Sequence, residues 1–185
     1  MDKQAIVLSA AATVIVIVVL FLFVRSYRRN QHQRQINKLV KDLSHKSLRN
    51  VLLPDSVDGQ IWIDCLLLTD GGLIVLDIRD YIGHLFGADN INEWTQMIGV
   101  RSHKFSNPLI ELPARISAVQ EVAGDVPVIG HIVFTRRGSF QKGKPDGVYM
   151  IDEVYEQLSH FLRPALPSEK LDKAWQNILA VQKAG

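Results

Sequence analysis

Asp64, Asp77 and Arg79 form the grouping in this 185-residue chain whose types and spacing point most directly to chemistry. They lie in two apolar runs, Gln60 to Thr69 and Leu73 to Asp80, separated by Asp70-Gly71-Gly72. Asp-Gly is a preferred pair for a two-residue type I′ hairpin loop. With Asp70-Gly71 as that loop, facing positions sum to 141, and 64 and 77 are such a pair. The two carboxylates then stand opposite each other, ~5 Å apart at Cβ, and Arg79 shares their face. With Gly71-Gly72 as the loop the sum is 143, and Asp64 faces Arg79 directly. Like charges opposed on a half-buried ribbon repel, so a shared proton, a cation or an arginine must offset them. A Mg²⁺ ion completed by water and phosphate oxygens is the catalytic solution. An Asp–Arg ion pair is the structural one.

The elements that must hold these residues follow from periodicity. Ile36, Leu39, Val40 and Leu43 fall on one helical face. Gly83 to about Asn92 reads as a Gly- and Asn-rich loop, with Trp94 beyond it. Asn107-Pro108 is placed to cap a helix bearing Leu109, Leu112, Ile116 and Val119, which Pro113 would kink or restart. Val126 to Phe134 reads as a buried strand and Thr135 to Gly147 as a polar loop. Asp152 is placed to cap a helix with Tyr155, Leu158, Phe161 and Leu162, and a last amphipathic helix uses Leu171, Trp175, Ile178 and Leu179. Helix, strands, helix, strand, helix is an α/β (α+β) order with a helix-covered sheet.

Ahead of this lies Ala5 to Val24, twenty positions without a charge. A helix of that length spans ~30 Å, the hydrocarbon thickness of a bilayer. The run is longer than a signal-peptide core and passes straight into RSYRR, so it reads as one transmembrane helix. Residues 25–50 hold eight Lys or Arg against Asp42 alone, whereas 51–185 hold 12 against 17 acids. Basic flanks stay on the cytoplasmic side and meet anionic headgroups. The expected order is therefore a 1–24 anchor with its N-terminus outside, a basic 25–50 juxtamembrane helix or linker, a 51–163 cytoplasmic domain and a 164–185 C-terminal helix. Membrane lipid is the first expected partner.

Several ordered pieces carry a resemblance: WIDCLLLTDGGLIVLDIRDYIGHLFG, NEWTQ, FSNPL and VIGHIVF. Together they resemble the nuclease-related domain (NERD) family over roughly Lys38 to Leu158. That family is similar to the restriction-endonuclease-like superfamily, whose mixed sheet is flanked by helices and carries an Asp followed on the next strand by Asp/Glu-x-Lys. The resemblance implies a metal-dependent phosphodiesterase site, with Asp64 and Asp77 holding Mg²⁺ or Mn²⁺ and position 79 orienting the attacking water. It also implies nucleic acid as substrate and a bacterial inner-membrane setting. The chain departs from the pattern at five places. The stretch matching the family's first-helix Gly-Glu, Arg34 to Lys38, has no acid, and the signature Lys is Arg79. Trp62 and Cys65 stand near the first acid in place of Gln and His, and Glu111 replaces a Gln. Arginine keeps the charge but does not give up a proton. Two function classes follow: a degenerate metal-dependent nuclease, or an inactive tethered module that binds nucleic acid or a protein.

Other features point to less. The six histidines show no paired spacing, and His131 sits inside an apolar strand as a core residue. Cys65, the one cysteine, excludes a disulfide framework and falls on the apolar face of the hairpin. Arg136, Arg137, Lys142 and Lys144 with Phe140 could touch a nucleic-acid backbone, but such a run more often forms a solvated loop. No P-loop, Gly-x-Ser-x-Gly or dinucleotide glycine pattern occurs.

Overall fold

A computed structural model describes residues 3–55, 59–163 and 166–184, with the backbone alone at 3–13, 26–30, 32 and 183–184. The chain divides into two compact units, Met1–Asn37 and Lys38–Gly185. The first consists of most of α1 (Lys3–Leu43), a single helix of 41 residues. Along it Val14 to Val24 form eleven consecutive apolar side chains, each 41–66 % exposed. Among the described residues no helix is long and apolar enough to cross a membrane. The expected span over 5–24 is thus represented by its Val14–Val24 half, because the side chains at 5–13 lie outside the described residues. Within the expected 25–50 juxtamembrane helix or linker, α1 continues to Leu43, where Ser44 Oγ bonds back to the Val40 carbonyl at 2.7 Å, and β1 begins at Lys46. The face expected at its end is real, since Ile36, Leu39, Val40 and Leu43 are all buried.

The second unit is built on two sheets. The larger orders its strands β1 (Lys46–Pro54), β2 (Gln60–Thr69), β3 (Gly72–Arg79), β7 (Val128–Phe134) and β9 (Val148–Met150). β1, β2 and β3 run antiparallel, while β3, β7 and β9 are parallel, so the sheet is mixed as expected. β3 is central, and Gly72 to Asp77 are buried on both faces. This explains its continuous apolar run, since parallel sheet interiors are covered on both sides. The parallel return from β3 to β7 passes through the second sheet and α2 (Leu112–Ala123).

Pro113 falls in the first turn of α2, where its missing N–H costs nothing, so the helix restarts there and does not begin at Asn107. Asn107 does not cap it. Its Nδ2 instead donates to the carbonyls of Ala88, Asp89 and Ile91, and its Oδ1 accepts from the Leu109 amide. α4 (Ser168–Ala184) buries Leu171, Ala174, Trp175 and Ile178 at helical spacing. Asp152 caps nothing either. Glu153 begins the short α3 (Val154–Leu158), and Asp152 pairs with Arg136.

The smaller sheet orders β6 (Arg101–Ser106), β5 (Glu93–Ile98), β4 (Gly83–Phe86) and β8 (Gly138–Phe140). Its β4 and β8 occupy stretches that read as loops, and its β5 and β6 fall where the periodicity assigns no element. β4 and β8 have four and three residues, too few to show a period, and the edge strand β6 is polar apart from Phe105. Aromatic packing joins this sheet to the larger one. Trp94 and Phe134 are fully buried with ring centroids 6.2 Å apart, and Phe140 meets Phe134 edge-on at 5.1 Å.

Candidate functional site

The hairpin between β2 and β3 keeps the 141 register: Thr69 faces Gly72 and Cys65 faces Leu76. The turn chemistry differs from expectation. Neither Asp70 nor Gly71 has a positive φ, so the loop is not type I′, and the glycine conformation falls on Gly72 at φ 137°. The regular ladder ends at Cys65–Leu76, one pair short of the two acids. There Asp64 Oδ2 accepts a hydrogen bond from the Ile78 amide at 3.0 Å. Burial pushes the Asp64 carboxyl up, the Ile78 amide lowers it, and Asp77 raises it again; Arg49 and Arg79 lower it, and the net shift is upward.

Asp77 is buried, with 7 % of its side chain exposed, and both its oxygens are engaged. Arg79 Nη2 donates to Oδ2 at 2.7 Å, and its Nε lies 2.7 Å from Oδ1, an ion-pair contact outside hydrogen-bond angles. Arg115 Nη1 reaches the same Oδ2 at 2.5 Å. Burial, the largest single influence, works against the charge of Arg79, but its bond to Asp77 and the charges of Asp77, Tyr81 and Glu111 together outweigh it and hold its pKa above the ordinary value. Arg115 also donates from Nη2 to Glu111 Oε2 at 2.6 Å and from Nε to the Trp62 carbonyl at 3.1 Å.

The structure thus gathers Asp77 and Arg79 as the spacing required, and Asp64 contributes through Ile78. Arg115 is the member that sequence reasoning missed. Its signal was present: it stands four residues after Glu111, one turn on, at the helix start Pro113 enforces.

A Mg²⁺ or Mn²⁺ ion needs carboxylate oxygens turned toward open space. In this arrangement Asp77 spends both oxygens on guanidinium groups and Asp64 spends one on a backbone amide. No group of three or more His, Cys, Asp or Glu able to hold a metal occurs among the described residues. The donors present do not fit a cation shared by Asp64 and Asp77. The arrangement can neutralise charge and orient the side chains that make it.

The other expected features are structural. Burial pushes the Cys65 thiol up to about 12, so it carries no thiolate at neutral pH. His131 is held below its ordinary pKa by burial, packed 4.9 Å from the Tyr149 ring. In the 135–147 stretch, Arg136 pairs with Asp152, Arg137 with Asp80 and Lys144 with Glu153, while Lys142 lies 5.9 Å from the Phe86 ring centroid. Three of its four cations are therefore engaged with carboxylates.

Comparison with known proteins agrees with the resemblance read from the residues. The chain is 20 % identical over 177 residues to an uncharacterized protein of Bacillus anthracis, a match covering 91 % of this chain and 84 % of that relative. Residues 28–135 match the sequence profile of the nuclease-related domain (NERD), which takes in α1's end, both acids, α2 and β7. The chain belongs to the nuclease-related domain family.

Proposed function

We propose that this chain is a membrane-tethered NERD module that serves by binding, without metal-dependent phosphodiester cleavage. One observation carries the reading: the Asp77 carboxylate is closed between Arg79 and Arg115. A general base or metal cradle needs a carboxylate turned toward open space, and here both oxygens of a side chain 7 % exposed face guanidinium groups. Charge weighs against nucleic acid and favours a protein as the partner. Residues 51–185 carry more acids than bases, and the basic loop spends most of its charge internally. Tethering rests on the uncharged run Ala5 to Val24, the exposure of Val14 to Val24 and the basic stretch that follows. In this reading the N-terminus faces outward and the domain lies on the cytoplasmic face of a bacterial inner membrane.

The competing reading, a degenerate Mg²⁺- or Mn²⁺-dependent nuclease, draws on the retained Asp64 and Asp77 within a mixed sheet of the restriction-endonuclease-like kind. The two separate in one experiment. Full-length protein in lipid nanodiscs is titrated with Mn²⁺ and assayed for nicking of supercoiled DNA and cleavage of RNA. The binding reading expects neither metal uptake nor product. Metal-dependent cleavage that disappears in Asp77→Ala would establish the nuclease instead. A reporter fused after Gly185 should be active only in the cytoplasm, and activity on the opposite side overturns the orientation.

A further inference from the structure

Four strands lie at the ends of the two sheets: β1 and β9 in the larger, β6 and β8 in the smaller. Three of them make poor templates for a further strand. β8 and β9 have three residues each. The register of β1 with β2 passes over Asn50, whose φ is 55°, and β1 ends on Pro54, which has no N–H to offer. β6 is different. All six of its residues pair with β5 in one unbroken register. Phe105 fixes it to the domain by stacking on Tyr81 at 4.4 Å, and its other five residues are exposed.

The free side of β6 can be assigned residue by residue. Asn107 donates its amide to the Asn92 carbonyl at 2.9 Å, one step beyond the Glu93–Ser106 pair. Bonded and non-bonded pairs alternate in an antiparallel ladder, so Phe105, His103 and Arg101 direct their backbone groups to β5. Ser102, Lys104 and Ser106 turn theirs outward. The side chains along this edge include Arg101, His103 and Lys104, and the strand holds no acid. Glu93 on β5 reaches Lys104 at 3.1 Å, an exposed pair that solvent screens.

We infer that the outer edge of β6 takes up an extended acidic segment of a partner protein as an added strand. The inference rests on the reading of the chain as a protein-binding module, and it names where and by what chemistry the partner binds. The outward backbone groups of Ser102, Lys104 and Ser106 supply the ladder, which gives affinity. Acids at alternate positions of the partner meet Arg101 and His103, which share a face, and this gives selectivity. A second copy is a poor occupant of the same edge, because β6 laid against β6 opposes like charges.

Full-length protein in phosphatidylcholine nanodiscs, whose headgroups carry no net charge, is titrated into a fluorescein-labelled octapeptide of alternating threonine and glutamate. Binding is read by fluorescence anisotropy. A fully N-methylated analogue keeps the charge of the peptide and removes its backbone donors. Wild type should bind the plain peptide saturably and the methylated one at least about tenfold more weakly, the scale of one or two lost hydrogen bonds. Ser102→Pro should lose affinity by the same factor yet keep its thermal midpoint, because the N–H it removes points away from β5. The double variant Arg101→Glu/Lys104→Glu should lose the peptide and also keep its midpoint. If Ser102→Pro folds poorly, the methylated analogue decides with wild type alone. No saturable binding by wild type, or equal binding of the two peptides, which is attraction by charge without strand addition, overturns the inference. The binding-module reading falls separately, by metal-dependent cleavage in the nicking assay, which none of these measurements reads.

Discussion

Asp64 on β2 accepts the amide of Ile78 on β3, so a carboxylate takes over where the backbone ladder stops. The first acid is thereby part of the sheet's own hydrogen bonding. It locks β3 beside Asp77 at the point where the strand leaves the regular register, and so helps fix the angle at which Asp77 meets its two arginines.

Asparagine at this position keeps an acceptor for the Ile78 amide and removes a charge that burial disfavours. The raised carboxyl means the folded state holds its proton more tightly than the unfolded one. The contribution of Asp64 to stability is therefore full below its ordinary value of 3.8 and is lost as pH rises through the folded value. Asp64→Asn should match or exceed wild type in urea stability at neutral pH, with that advantage shrinking in acid. Asp64→Ala strands the amide and should cost about 1–2 kcal/mol. A neutral-pH loss in Asp64→Asn equal to that of Asp64→Ala would show that charge, not acceptance, is what β3 requires.

Arg115 and Arg136 both pair with an aspartate, and burial separates their worth. Arg115 has 12 % of its side chain exposed against an Asp77 with 7 %, whereas Arg136 has 59 % exposed against 48 % for Asp152. Arg115→Ala should cost about 3 kcal/mol in metal-free buffer, since it leaves a buried carboxylate half-compensated. Arg136→Ala should leave the urea midpoint unchanged within error, because solvent and salt screen an exposed pair. Equal losses in the two variants would mean that the buried cluster holds no more than a surface pair.

The hairpin, its register and the helix faces at Leu39 and Leu171 were legible because each rests on local periodicity. The sum of 141 holds for the ladder from Thr69–Gly72 to Cys65–Leu76, and the two acids stand just beyond its end. Arg115 was not legible as a partner, because 38 residues and three strands of the smaller sheet separate it from Asp77. Pairing across such a loop is decided by the path of the chain and not by any local pattern. The same holds for β6, where Phe105 alone is half-buried and five residues are exposed, so no alternation shows. Asn107 and Asp152 were misread for a related reason: both have the chemistry of a helix cap, and both found a stronger partner outside the helix.

Gly72 tests whether the turn is as specific as its geometry. Its φ of 137° is costly for any L side chain, and an added Cβ would overlap the Pro127 carbonyl, which itself accepts the Leu73 amide at 2.9 Å. Gly72→Ala should cost about 2–3 kcal/mol from backbone strain and displacement of that carbonyl. Asp70→Ala, at a half-buried turn position outside the ladder, serves as the control and should stay close to wild type. Comparable thermal midpoints for the two variants would mean the turn tolerates other shapes and does not fix the register of the acids.

Asn107 offers a prediction in which chemistry and size can be told apart. Its amide nitrogen faces three carbonyls, and its oxygen faces one amide, all from a side chain in a residue 1 % exposed. Trp94 Nε1 also donates to the Ala88 carbonyl, so the 88–92 loop is held jointly by the core tryptophan and this amide. Asn107→Ala removes every one of these bonds and should cost about 2–4 kcal/mol. Asn107→Asp preserves the shape but turns an acceptor-only group toward three acceptors, so at neutral pH it should cost at least as much. The two variants then diverge with pH. Protonation would return a donor to the new carboxyl, whose folded pKa is raised by burial among carbonyl oxygens. The Asn107→Asp deficit relative to wild type should shrink as pH falls toward the carboxylate range, whereas the Asn107→Ala deficit should not follow it. Parallel deficits across the pH series would show that the loop is held by packing around Trp94, with the Asn107 amide contributing little.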